Sequence, residues 1–192
     1  TTLFNLLTGL LPADEGRVGV NGCDVTGDAS YLRIRRGLAR SFQITSVFKT
    51  LTVLENVRIA VQARSGHSFD VLSRADRLAG LEEAARALLS EVGLVGDEGR
   101  PTGTLSHGEQ RLLEIAIALA TRPVVLLLDE PLAGLPDAER TRIAALIRRL
   151  AERYAVLLIE HDIDRVRAIS DRITVLGEGR VIAASSPREI QD

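Results

Sequence analysis

Two short, unbroken apolar runs, VVLLL at 124–128 and AVLLI at 155–159, bracket the amphipathic stretch DAERTRIAALIRRLAERY. A strand with one wet face alternates apolar and polar residues, so a run without alternation is expected where both faces are covered. Two such strands separated by a helix-length segment read as parallel neighbours, since antiparallel neighbours need only a short turn while parallel ones need a crossover. The pattern continues through DIDRVRAIS, a short helix, to RITVL, a third strand. Strand–helix–strand–helix–strand is the mark of an α/β fold with a mostly parallel sheet. GRVIAAS then reads as the hairpin partner of RITVL across Gly177-Glu178-Gly179.

The first third of the chain fits the same class. TTLFNLLTGL opens as a helix, with Leu3, Phe4, Leu6, Leu7, Leu10 and Leu11 at positions that suit one helical face. EGRVGVNGCDVT reads as strand, Asn21-Gly22 turn and short continuation, YLRIRRG as a basic helix, and GLARSF as a strand handing over to Gln43. From about Thr52 to Thr121 the texture becomes helical: VLENVRIAVQAR, FDVLSRADRLAGLEEAARALLSEVG and SHGEQRLLEIAIALATR, with the Gly/Pro-rich loop GLVGDEGRPTGTL before the last. The expectation is a single domain over 1–192, in which 1–43 and 119–192 form an α/β core and 44–118 an inserted helical subdomain.

Charge narrows the function classes. Twenty-four Lys and Arg against 26 Asp and Glu give a net charge of −2, which supplies no field to attract nucleic acid. The single cysteine, Cys23, excludes an internal disulfide, and no apolar run approaches the roughly 18 residues of a membrane span.

Chemistry concentrates at four places. VVLLLDEP ends a buried strand in Asp129 and Glu130, and open α/β sheets bind ligands at the C-terminal ends of their strands. An aspartate there suits Mg²⁺, and a neighbouring glutamate suits proton abstraction from water, although two acids ending a strand in solvent would look the same. LSHGEQ offers Ser106 and Glu109 as a capping box, which accounts for both without any ligand. It leaves Gly108 unexplained, because glycine is unfavourable in a helix unless something must approach the backbone closely. LLIEHD sets His161 just past a strand, at the same sheet edge as Glu130. Gln43 lies where core gives way to helical insertion.

Together these pieces resemble the ATP-binding subunits of ABC transporters. TTLFNLLTGL is similar to the tail of a P-loop, beginning just after its lysine. Gln43 matches the family's Q-loop, LSHGEQ its signature motif, VVLLLDE its Walker B strand, EPLAGLPDAE its D-loop and His161 its switch histidine. GLARSFQ, LTVLENV, EIAIALATRP and LLIEHD most resemble LivG-type subunits of branched-chain amino acid importers.

The resemblance implies a P-loop NTPase (RecA-like) core whose N-terminal part, with the phosphate-cradling glycines and the lysine, precedes Thr1; such a piece would be inactive alone. It implies ATP and Mg²⁺ as cofactors, held by Thr1, Thr2, Gln43, Ser106 and Gly108, with Thr1, Gln43 and Asp129 on the metal, Glu130 as catalytic base and His161 beside it. It further implies a head-to-tail ATPase pair, transmembrane permease subunits, a periplasmic substrate-binding protein and a site of work on the cytoplasmic face of the bacterial inner membrane. Two departures stand out. His107 and Glu109 replace residues of the common LSGGQ, and Pro136 stands where the D-loop normally has Asp or Asn, with Asp137 following. The rival readings are the ATPase of another ABC transporter, such as one exporting lipopolysaccharide, and an ABC ATPase acting on nucleic acid or ribosomes.

Overall fold

The computed structural model of the chain describes residues 2–41, 47–64 and 75–190, with side chains from 79 onward in the last span. Thr1 and Gln43 lie outside the described residues. Helix α1 (Thr2–Thr8) leads to a small hairpin, β1 (Gly19–Val20) and β2 (Cys23–Asp24), then to α2 (Ser30–Arg35) and β3 (Leu38–Ser41). Three helices follow, α3 (Val53–Arg64), α4 (Ala75–Val92) and α5 (His107–Ala120). The chain returns through β4 (Val125–Asp129), α6 (Asp137–Leu150), β5 (Ala155–Ile159), α7 (Ile163–Ile169), β6 (Ile173–Gly177) and β7 (Arg180–Ser185).

The central sheet has the order β3-β4-β5, both pairings parallel. Leu126, Leu127 and Leu128 are fully buried in its middle strand, so the unbroken apolar run at 124–128 reflects cover on both faces. The larger apolar cluster packs Leu126 and Leu128 against α3, α4, α5 and α6, through Val57, Leu89, Leu113 and Ile147 among others. A smaller one gathers Phe4, Val20, Val25 and Leu38 over Leu127 on the opposite face.

Both hairpins turn where the sequence predicts. Asn21 and Gly22 have φ of 50° and 76°, and Glu178 and Gly179 have 49° and 77°. Two left-handed residues in succession make the turn whose twist matches a two-residue hairpin.

Three expectations change. AVLLI is only half-buried, because β5 is the edge strand of the central sheet and Leu157 is 40 % exposed. Among the described residues β6 hydrogen-bonds only to β7, as a separate antiparallel pair, instead of extending the central sheet. In α1, Phe4 alone of the apolar residues is fully buried, while Leu3, Leu10 and Leu11 are exposed. The last two lie beyond Gly9, whose φ of 74° ends the helix.

Buried Arg33 fixes that helix end. Its guanidinium donates to Leu6 O and Leu7 O at 2.8 Å each, and to Thr26 O and Asp28 O, satisfying carbonyls that a helix end leaves without partners. Among the described residues no helix is long and apolar enough to cross a membrane.

Candidate functional site

The C-terminal edge of the central sheet carries the first half of the site. Asp129 is the last residue of β4, paired in register with Ile159 on β5. Its carboxylate is fully buried, and Oδ2 accepts from Arg40 Nη2 at 2.8 Å. Oδ1 is buried without a hydrogen-bond partner among the described residues. A buried carboxylate oxygen left bare is costly unless a cation or donor completes it. No group of three or more His, Cys, Asp or Glu among the described residues could hold a metal by itself. The unpartnered Oδ1 fits Mg²⁺, which usually takes one or two protein carboxylates and completes its octahedron with water and phosphate oxygens.

Glu130 follows in a left-handed conformation, φ 47°. A non-glycine residue held there carries local strain, of the kind that gathers at functional sites. The fold secures it from both sides: Glu130 N–H donates to Ile159 O at 2.9 Å, and Ala133 N–H donates to Glu130 O at 3.2 Å.

His161 stands two residues beyond Ile159, on the same edge, with its ring 74 % exposed and Nδ1 3.9 Å from Glu160 Oε2. Glu160 itself is buried and accepts from Leu132 N–H at 2.9 Å. It thus ties the turn after Glu130 to the start of the turn carrying His161. Asp129, Glu130 and His161 therefore share one edge, as the strand pattern predicts. Thr2 begins α1 and is exposed. The chain from α1 reaches this edge through Asn5, whose Oδ1 accepts from Arg40 Nη1 at 2.6 Å.

The second half of the site is the start of α5. Ser106 is its N-cap, and the capping box is complete: Glu109 N–H donates to Ser106 Oγ at 3.2 Å, and Ser106 N–H to Glu109 Oε2 at 2.7 Å. Arg100 braces this turn through Glu109 and Asp97. Its hydrogen bonds, with that from Ser106 N–H, hold the Glu109 carboxyl below the usual range. Its contribution to stability is therefore present above the ordinary carboxylate value and is lost as pH falls through the lowered one.

What approaches Gly108 is the Glu139 carboxylate of α6. A Cβ on Gly108 would lie 2.5 Å from Glu139 Oε2, and Ser106 Oγ donates to Glu139 Oε1 at 3.2 Å. The glycine thus admits an anion to the first turn of a helix, where free N–H groups and the helix dipole favour negative charge. Among the described residues no hydrogen bond or ion pair joins Ser106 or Gly108 to Asp129, Glu130 or His161. At the D-loop position Pro136 caps α6 without a side-chain bond, and Asp137 pairs with Arg165 at 2.9 Å.

Sequence reasoning misses Arg40, Glu160 and Glu139. Each acts on a partner 28 to 89 residues away, where no local spacing rule applies.

The comparisons agree with this geometry. A sequence model of the ABC transporter family matches residues 1–133. The chain is 38 % identical over 201 residues to the "High-affinity branched-chain amino acid transport ATP-binding protein BraF" of Pseudomonas aeruginosa, covering all of this chain and 78 % of that protein. It is 37 % identical over 199 residues to LivG of Salmonella typhimurium, at the same two coverages. Among solved structures, the ATP-binding cassette MJ1267 superposes with a TM-score of 0.83 at 32 % identity, over 98 % of this chain and 76 % of that one. A nucleotide-free ATP-binding cassette gives 0.81 at 30 % identity, over 96 % and 75 %. The dimeric MJ0796 cassette bound to ADP and Pi gives 0.79 at 25 % identity, over 98 % and 81 %. The sheet edge with its paired acids and the capped helix α5 thus belong to an ATP-hydrolysing P-loop fold, and the chain is a member of the ABC transporter ATP-binding family.

Proposed function

We propose that this chain energises the import of branched-chain amino acids, as one of two ATPase subunits working head to tail beneath permease subunits at the cytoplasmic face of the bacterial inner membrane. The observation that carries the ATPase chemistry is the end of β4: a buried Asp129 with one bare oxygen, followed by a strained Glu130. The substrate class is supported by the relatives BraF and LivG, whose names specify branched-chain amino acid transport at 35–38 % identity.

In this reading Asp129, Thr1 and Gln43 hold Mg²⁺, with Thr2 on the phosphates of ATP. The metal, when bound, neutralises charge on the phosphates during transfer. Glu130 accepts the proton of the attacking water, and its left-handed backbone fixes where that carboxylate leaves the strand. His161, mostly exposed at the same edge, is free to meet the terminal phosphate. Ser106 and the backbone of Gly108 serve the nucleotide of the opposing subunit, in keeping with the lack of any hydrogen bond or ion pair between them and Glu130 among the described residues. An incoming phosphate replaces the Glu139 carboxylate at the α5 terminus.

We assign 1–43 and 119–192 to the α/β core and 44–118 to the helical unit that meets the permease. Phe48, 57 % exposed at the start of that unit, is a natural contact. A periplasmic binding protein then delivers substrate on the far side of the membrane.

The test is uptake of radiolabelled leucine, isoleucine and valine by cells deleted for the gene and complemented with the parent or Glu130→Gln allele. Only the parent should restore uptake. Equal uptake by deleted, parent and Glu130→Gln cells would contradict the assignment to branched-chain amino acids.

A further inference from the structure

Arg40 lies in the GLARSFQ stretch, which gives it no role of its own, yet its guanidinium sits on the carboxylate of the candidate metal site. It stands on β3 opposite Leu127, two residues short of Asp129 on the neighbouring strand, so both side chains emerge on the same sheet face. Its guanidinium donates to Asp129 Oδ2 at 2.8 Å and to Asn5 Oδ1 at 2.6 Å, and lies 5.5 Å from the centre of the Phe4 ring. The pair is sealed, with the Arg40 side chain 5 % exposed and that of Asp129 fully buried. Three elements, α1, β3 and β4, thus converge on one buried positive charge. Among the described residues Asp129 keeps Oδ1 bare, so Arg40 neutralises the carboxylate without filling it.

We propose that Arg40 is the resident counter-cation of Asp129. It balances the carboxylate while no divalent ion is present, and its charge keeps a bare divalent ion out until a triphosphate brings compensating negative charge. Metal then enters with nucleotide, at Oδ1, while Arg40 stays on Oδ2. The proposal rests on the reading of Asp129 as a metal-binding residue.

The probe is Mn²⁺ alone, followed by electron paramagnetic resonance on the gene's whole product without nucleotide. Arg40→Gln removes the opposing charge and should tighten Mn²⁺ binding at least about tenfold, the size that even a water-like dielectric gives for a unit charge roughly 5 Å from a divalent ion. Arg40→Lys keeps the charge and should bind Mn²⁺ like the parent. Because Arg40→Gln leaves a buried carboxylate unbalanced, the isosteric Asn5→Asp is the companion variant: it preserves the bond to Nη1, lowers the local charge by one and should also tighten Mn²⁺. Unchanged or weaker Mn²⁺ binding in every folded variant of the two would overturn the counter-cation role. Parent and Asp129→Asn proteins with Mn²⁺ and ATP form the separate control. Equal Mn²⁺ binding by those two would sink the metal-binding role of Asp129 itself, whatever Arg40 does.

Discussion

The end of β4 and the start of α5 are each held by a side chain of the charge opposite to the one they present, and they differ in how deeply. At Asp129 the partner is the cation Arg40, with both side chains out of solvent. At Ser106 and Gly108 it is the anion Glu139, through an exposed hydrogen bond. Burial decides what each contact is worth. A sealed ion pair is costly to break from one side, because the remaining charge stays desolvated. An exposed contact is readily exchanged for water or for another anion. The sheet edge is therefore held as a fixed contact and the helix start as an exchangeable one, as the proposed arrival of a phosphate from a second subunit would require.

The largest effect should come from the buried side of this comparison. Arg40→Ala is expected to destabilise the fold by about 3–5 kcal/mol, measured by urea unfolding, whereas a loss under about 1 kcal/mol would mean that Asp129 is not sealed. Strain at Glu130 ranks next. Glycine accepts its φ of 47° without steric cost, so Glu130→Gly should exceed Glu130→Ala in stability by about 1–2 kcal/mol. Equal stability of the two variants would show that the left-handed backbone relaxes freely.

On the exposed side, Ser106→Ala should lower stability by about 1 kcal/mol, the usual worth of a helix cap, yet lower ATP turnover more than that loss accounts for. If turnover follows the fraction folded, Ser106 is a cap and nothing else. Glu139→Gln should be the mildest, within about 0.5 kcal/mol in a thermal melt. A larger loss would make the Glu139 contact structural and blur the distinction between the halves.

How much of this was legible depends on the range of each interaction. The runs at 124–128 and 155–159, the Asn21-Gly22 turn and the S-x-x-E box are set by neighbours in sequence, and the structure reproduces all of them as strands, hairpin and cap. Asp129, Glu130 and His161 could be brought to one edge because parallel strands align their C-terminal ends. Arg40 could not be read, since its role depends on Asp129, 89 residues on, and on Asn5, 35 residues back. Gly108 was legible as an anomaly, but only the fold identifies Glu139 as the group that needs its missing Cβ. The open face of β5 and the separate β6–β7 pair also escaped, because an apolar run reports a preference for burial and not what is present to cover it.

On this reading the end of β4 is a hydrolytic edge whose base is Glu130. Phosphate release from Mg-ATP by the gene's whole product, parent beside Glu130→Gln, tests it most directly, with size-exclusion chromatography on the same samples. Glu130→Gln should slow release by about 10²–10⁴-fold, the range for losing a positioned general base, while the protein is retained as an ATP-bound dimer. Release at the parental rate would contradict it and leave Glu130 as an acid that merely ends a strand.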